Sequence, residues 1–163
     1  MEHPYLLILR RENVPALGCT EPAAAALAVA KAREVLGRSV ETLRLWASGN
    51  VLKNAMGVGI PGTRQYGLRT AAALALAGGR SRDGLEVLRD VTDGQRAAAQ
   101  RLLCSGVIQI ELDPRPEPLY IRAECYGGGE SAAAVILREH SRFRRVERND
   151  IKGIVADCGK ARY

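Results

Sequence analysis

The residue in the most informative position for chemistry is Cys19, which directly precedes the tripeptide Thr20-Glu21-Pro22. Thr20 is a good helix N-cap, Pro22 fits the start of a helix, and Glu21 complements the helix dipole. The spacing therefore predicts a helix over Glu21–Leu36. Unpaired backbone N–H groups and the dipole at a helix start stabilise a thiolate, so Cys19 is a candidate base, nucleophile or metal ligand. The alternative is that Cys19 is a small buried apolar side chain.

A second group of polar residues lies in the segment SGNVLKN, residues 48–54. Asn50, Lys53 and Asn54 share one face if this segment is helical. Ser48 and Gly49 would leave backbone N–H groups open at the start of that helix, which is a natural seat for a carboxylate. The alternative is a capped helix with a solvated polar face.

Two glycine-rich segments could bring backbone close to a ligand. The first, GVGIPGT at residues 57–63, includes Gly62 and Thr63 but lacks the lysine and the spacing of nucleotide-binding loops. The second, YGGGESAAAVILREH at residues 126–140, places three glycines before Glu130 and ends at His140. Close approach to a ligand or a neighbouring segment is the role expected for the first, and a flexible turn between strands is the alternative for the second.

The hydrophobic patterning predicts an α+β fold in one domain, residues 1–163. Alanine-rich helices in the first two thirds should pack on a mostly antiparallel sheet formed largely by the last third. A short helix or arm is also predicted near residues 4–11. The other predicted helices are Leu68–Ala77, Arg82–Asp90 and Asp93–Leu103. The predicted strands lie near 40–47, 107–112 and 119–126, the last two as a hairpin across DPRPEP. Ser131–Leu137 fits a strand or a helix, and Arg142–Arg148 fits a further strand.

Composition narrows the classes of partner and the compartment. The net charge is +6, and the densest group of arginines is Arg138, Arg142, Arg144, Arg145 and Arg148. No helix-turn-helix, zinc-finger or RNP pattern accompanies it, so we expect no nucleic-acid partner. No apolar run is long enough to cross a membrane, and the first residues do not form a secretory signal. We therefore expect a cytoplasmic protein in which the four widely spaced cysteines stay reduced.

Together, ALGCTEPAAAALAVAKAREVLG, SGNVLKN and VGIPGT resemble the L-cysteine desulfidase group of the serine dehydratase alpha-chain-like proteins. The resemblance spans residues 10–146 and covers the N-terminal portion of that family. It implies a lyase that eliminates sulfide from L-cysteine, or water from L-serine, to give pyruvate and ammonia. It also implies a 4Fe–4S cluster that binds the leaving group, with cluster ligands in a half that this chain lacks.

The same resemblance implies roles for particular residues. Cys19 would be the base that takes the α-proton of a small amino-acid substrate. Residues that match the family's other motif positions would bind that substrate: Thr20, Glu21, Ser48, Gly49, Asn50, Lys53, Asn54, Gly62 and Thr63. Three positions depart from the family pattern, since Glu130 replaces a histidine and Ser141-Arg142 replaces Thr-Asn after His140.

The missing half leads to two hypotheses about assembly and function. In the first, the chain is a truncated or split lyase that works as a homo-oligomer or with a second chain that supplies the rest. In the second, it is a non-catalytic domain that binds an amino acid or assembles with a partner.

Overall fold

Helices form most of the first two thirds of the chain and strands most of the remainder, in a computed structural model that describes residues 3–12, 15–16 and 18–149. The predicted α+β class is confirmed. The helices are α1 (Pro4–Glu12), α2 (Thr20–Leu36), α3 (Gly49–Ala55), α4 (Gly67–Gly78) and α5 (Asp93–Cys104), with a 3-10 helix over Ser81–Glu86. The strands are β1 (Thr42–Ser48), β2 (Ile108–Asp113), β3 (Tyr120–Gly127), β4 (Glu130–Leu137) and β5 (Phe143–Arg148).

The five strands form one sheet in the order β2-β1-β3-β4-β5. β1 and β2 are parallel, whereas every other neighbouring pair is antiparallel. Side chains alternate between the two faces of a strand. On β1 and β3, the apolar side chains that point to one of these faces belong to the hydrophobic core: Leu43, Leu45, Ile121, Ala123 and Cys125. The sheet therefore presents one continuous apolar face, on which α2 packs.

The central helix α2 is buried along most of its length. Every residue from Pro22 to Ala30 is buried, and most of them are alanines. Small side chains allow α2 to pack closely against the sheet on one side and against α4 on the other. The helix ends at Gly37, which adopts a left-handed φ of 69° and donates its backbone N–H to the Arg33 carbonyl. Burial on all sides fixes α2, and with it the position of its first turn.

The predicted hairpin between the strands on either side of DPRPEP is wrong. β1 lies between β2 and β3, and the proline-rich connection passes the end of β1 instead of turning back on itself. The Ser48 hydroxyl fastens that connection, because it donates to the Pro118 carbonyl (2.8 Å) and accepts from the Tyr120 N–H (3.3 Å). Placing β1 between two partners buries Leu43 and Leu45, which a simple hairpin would leave at an edge.

The predicted helix over Arg82–Asp90 is also wrong. Gly84 has φ 57° and ψ −132°, which no helix allows, so the 3-10 segment Ser81–Glu86 consists of two short turns separated by a kink at Gly84 and no continuous helix forms. Leu85, Val87 and Leu88 are nevertheless buried. The spacing of these apolar residues therefore indicated that the segment packs on the core, and it did not indicate a helix. The segment Ser131–Leu137, which fitted two states, is part of strand β4.

No helix in the part of the chain that the structure describes is long and apolar enough to cross a bilayer.

Candidate functional site

The first turn of α2 holds a close contact between a thiol and a carboxylate. Cys19 occupies the N-cap position, which the sequence had assigned to Thr20, and its backbone is extended (φ −68°, ψ 138°). The Cys19 Sγ lies 2.9 Å from Glu21 Oε2 and donates a hydrogen bond to it. We call these two residues the Cys19–Glu21 pair. Because Pro22 and the alanines after it are buried, the pair stands at a rigid end of the core.

Three further side chains surround the carboxylate of Glu21. Thr20 Oγ1 donates to Oε2 over 3.2 Å, and Asn54 Nδ2 donates to Oε1 over 3.1 Å. His140 Nε2 lies 3.9 Å from Oε1, within ion-pair distance when the imidazole is protonated. The Glu21 cluster, by which we mean Cys19, Thr20, Glu21, Asn54 and His140, therefore combines α2, α3 and the turn after β4.

The electrostatics of the pair differ from the sequence-based expectation. The pKa of the Cys19 thiol is raised, first by burial and then by its hydrogen bond to Glu21 and the negative charge of that residue. Burial also acts to raise the pKa of Glu21, but the hydrogen bonds from Cys19, Asn54 and Thr20 together lower it. The resting pair is thus a neutral thiol beside an ionised carboxylate. The thiolate expected at the helix start is therefore not favoured, because burial and then the neighbouring carboxylate outweigh the backbone N–H groups that lower the pKa of Cys19.

The glycine-rich loop after α3 comes close to this site. Gly18 has a left-handed φ of 85°, and a Cβ there would stand 3.1 Å from the Pro61 ring. Cys19 lines a small apolar cavity together with Val58, Ile60 and other residues: Pro22, Ala23, Gly59, Pro61, Leu85 and Leu88. Cys19 therefore lines an apolar pocket, and its sulfur is hydrogen-bonded to the Glu21 carboxylate.

Six of the residues predicted to bind substrate make no hydrogen bond or ion pair with the Cys19–Glu21 pair: Ser48, Gly49, Asn50, Lys53, Gly62 and Thr63. The hydroxyl of Ser48 is buried and makes its hydrogen bonds with the backbone of Pro118 and Tyr120. Thr63 Oγ1 donates to the Ile60 carbonyl (2.8 Å) and accepts from the Gln65 N–H (3.1 Å), so it shapes its own loop. Helix α3 has only seven residues, which makes its N-terminus a weak seat for a carboxylate. Asn50 and Lys53 are exposed on it.

His140 joins the Glu21 cluster although no motif in the sequence predicted a role for it. It is one of only two histidines in the chain, and its place at the end of the segment 126–140 was the one available signal. Glu130, at the start of that segment, instead pairs with Arg38 and Arg148 at 2.9 and 3.0 Å. These ion pairs help to lower the pKa of Glu130.

The described residues do not fit an iron–sulfur cluster. Such a cluster needs three or four thiolates in one place, and no group of three ligating side chains occurs within residues 3–12, 15–16 and 18–149. Cys19 is half-buried at the start of α2, Cys104 is exposed at the end of α5, and Cys125 is buried in β3. Cys158 lies outside the described residues.

Comparison with known proteins gives one consistent name. The chain is 45% identical over 142 residues to a UPF0597 protein of Parabacteroides distasonis, which covers 87% of this chain and 33% of that protein. It is 43% identical over 145 residues to a UPF0597 protein of Oleidesulfovibrio alaskensis, with coverage of 89% and 34%. It is 42% identical over 152 residues to the UPF0597 protein YhaM of Salmonella gallinarum, with coverage of 93% and 34%. The chain thus spans about a third of the length of these relatives.

No family model matches the chain, and no solved structure matches it. The comparisons correct the resemblance drawn from the sequence. The relatives are UPF0597 proteins, and nothing in the comparisons supports membership of the serine dehydratase alpha-chain-like proteins. The names of these relatives state no activity.

Proposed function

We propose that this chain carries the proton-transfer groups of a lyase that eliminates the β-substituent of a small amino acid such as L-cysteine or L-serine, and that it acts as part of a longer protein. The observation that carries the proposal is the 2.9 Å hydrogen bond from the Cys19 thiol to the Glu21 carboxylate. A thiol and a carboxylate in contact can exchange one proton, and an elimination needs both a base and an acid.

The pair can serve as both acid and base. Transfer of the thiol proton to Glu21 gives a thiolate and a neutral carboxylic acid. The thiolate takes the α-proton of the substrate, the bond from the β-carbon to the leaving group breaks, and a carbon–carbon double bond forms. The Glu21 acid then protonates the departing sulfide or hydroxide. The pair ends as thiol and carboxylate, which is the state in which it began.

The product of that step is 2-aminoacrylate, which tautomerises to an imine and is hydrolysed to pyruvate and ammonia. The surroundings of Glu21 support this cycle. The Asn54 amide holds Oε1, which leaves Oε2 to exchange the proton with Cys19. A positive charge beside Glu21, from protonated His140 or from the α-ammonium group of a substrate, would offset the carboxylate and lower the cost of ionising the thiol.

The steps above use residues of this chain alone, and the described residues hold no group of three side chains that could ligate a 4Fe–4S cluster. A remaining part of the longer protein, or a second copy of the chain, is the proposed source of further substrate contacts.

The alternative function is a non-catalytic amino-acid-binding domain. The raised pKa of Cys19 favours it, since a thiol that stays protonated is a poor base.

The two proposals differ in whether the chain removes the α-proton. The wild-type chain and the variants Cys19→Ser and Glu21→Gln are incubated with L-serine or L-cysteine in D2O. Loss of the α-proton signal is then followed by NMR, with pyruvate assayed in parallel. A proton-transfer site predicts loss of the α-proton signal that Cys19→Ser abolishes and pyruvate formation that both variants abolish, whereas Cys104→Ser, which changes an exposed cysteine, should match the wild type in both assays. Saturable binding with neither deuteration nor pyruvate formation would instead support the binding domain.

A further inference from the structure

A second polar site is built by the turn between β4 and β5. An open cavity of about 540 Å³ lies there, lined by Arg138, Arg142, Arg144 and three neighbours: Leu137, Glu139 and Phe143. We call it the arginine groove. Its lining carries three guanidinium groups and one carboxylate, so it has an excess of two positive charges.

These positive charges are poorly compensated. Arg142 Nη1 lies 3.6 Å from Glu139 Oε1, and the Arg142 side chain is 76% exposed. Within the described residues, Arg138 and Arg144 have no ion-pair partner, unlike Arg145 and Arg148 on the same strand. A surface arginine without a carboxylate partner can bind an anion without first giving up an existing contact.

The backbone of the turn is held in a demanding conformation. Arg138 has a φ of +67°, a left-handed value that residues other than glycine adopt at a cost. Its N–H donates to the Leu119 carbonyl at 3.1 Å, which ties the turn to the end of the neighbouring strand. The backbone of Arg138 is therefore held in place by this hydrogen bond, in a conformation that glycine would adopt at a lower energetic cost.

We propose that the arginine groove binds a dianionic phosphate group, either as free phosphate or as a small phosphorylated compound. Arginine matches phosphate geometry through paired N–H donors, and two excess positive charges match a dianion. This binding site does not depend on the proposed lyase activity.

A small anion suits the groove better than a nucleic acid. Single-stranded nucleic acids are held by exposed aromatic side chains on which bases stack. The one aromatic residue of the groove, Phe143, is partly buried against the hydrophobic core and lies near the Lys31 ammonium, 5.9 Å from its ring centre.

The test measures the binding of inorganic phosphate and of O-phospho-L-serine to the full 163-residue chain by titration calorimetry, at constant ionic strength. The variants are Arg144→Gln and Arg138→Gly. The second removes a guanidinium while giving the left-handed position the residue that prefers it, so the turn should keep its shape. Arg101→Gln is the matched control, because it removes an equal charge from the exposed face of α5.

We expect saturable phosphate binding that both groove variants weaken at least tenfold and that Arg101→Gln leaves within twofold. Tighter binding of O-phospho-L-serine than of phosphate would identify a phosphorylated compound as the natural ligand, and the reverse would identify free phosphate. Equal weakening by all three variants would overturn the proposal, since only net charge would then matter. Absence of saturable binding would also overturn it, as would a short oligonucleotide that binds more tightly than either probe.

Discussion

Asn54 and Glu21 are joined by a 3.1 Å hydrogen bond from Nδ2 to Oε1, although 33 residues separate them in the chain. The bond connects the short helix α3 to the first turn of α2. It fixes one carboxylate oxygen and directs the other to the Cys19 thiol, 2.9 Å away. The chemistry available at Cys19 therefore depends on a residue of another helix.

Replacing Glu21 by glutamine should make Cys19 more reactive. The substitution removes the negative charge and the charged acceptor that raise the thiol pKa. Below the pKa the alkylation rate follows the thiolate fraction, and a decrease of one pKa unit corresponds to about a tenfold gain. Iodoacetamide labelling near neutral pH, in a background with Cys104→Ser and Cys158→Ser, measures the rate. A slower reaction in Glu21→Gln would contradict the assigned direction.

Stability in acid should depend on Glu21. The folded-state pKa of this carboxyl lies below its ordinary value of 4.5, so its stabilising effect is complete above that value and is lost as the pH falls through the folded pKa. Urea unfolding between about pH 3 and 6 should show a smaller loss of stability in Glu21→Gln than in the wild type. Equal slopes for the two proteins would mean that the carboxylate is not held as described.

Cys125 should be inert towards thiol reagents while the protein is folded. Burial raises the pKa of this thiol to about 12, and the side chain is fully buried in β3. Ellman's reagent should react quickly with exposed Cys104 and react with Cys125 only after unfolding. Because the folded pKa is raised above the ordinary 9.0, the thiol's contribution to stability is present below pH 9.0 and is lost as the pH rises towards 12. Cys125→Ala should therefore show a flatter alkaline stability profile, and rapid labelling of Cys125 in the native state would refute the assignment.

Much of the fold could be predicted from local patterns. The helix over Glu21–Leu36 was recognisable because proline, alanines and Gly37 mark its start, body and end, and the period-two segments after residue 106 indicated strands. Two predictions failed: the hairpin, which depends on how distant segments pair, and the helix over Arg82–Asp90. No local pattern shows that β1 lies between β2 and β3, nor that Gly84 interrupts an apolar segment with helical spacing.

In the candidate site, too, some features are visible in the local sequence and others depend on the tertiary structure. Cys19 and Glu21 are two residues apart, and their shared position at a helix start is visible in the sequence. The approach of His140 to Glu21 is not, because it depends on α2 packing across β3 and β4 to reach the turn beyond. The ionisation state was also out of reach, since it depends on burial and on the donor from Asn54.

Gly127→Ala should destabilise the protein substantially. A Cβ at this position would overlap the Ser39 carbonyl oxygen, and backbone cannot move aside as a flexible side chain can. Overpacking of this kind costs about 1–3 kcal/mol. Gly57→Ala is the matched control, because nothing lies within 4 Å of the added Cβ. Urea unfolding compares the two, and equal stabilities would show that the strand end tolerates a side chain.

The measurement that tests the proposed function most directly is deuterium incorporation at the α-carbon of L-serine or L-cysteine in D2O. It reports proton removal alone and does not require the elimination to be completed. The Cys19–Glu21 pair predicts incorporation by the wild-type chain, by Cys104→Ser and by Glu21→Gln, in which the thiol ionises more readily, with none by Cys19→Ser. Absence of both incorporation and pyruvate formation with a wild-type chain that binds the amino acid, or undiminished incorporation by Cys19→Ser, would contradict a proton-transfer role for this pair.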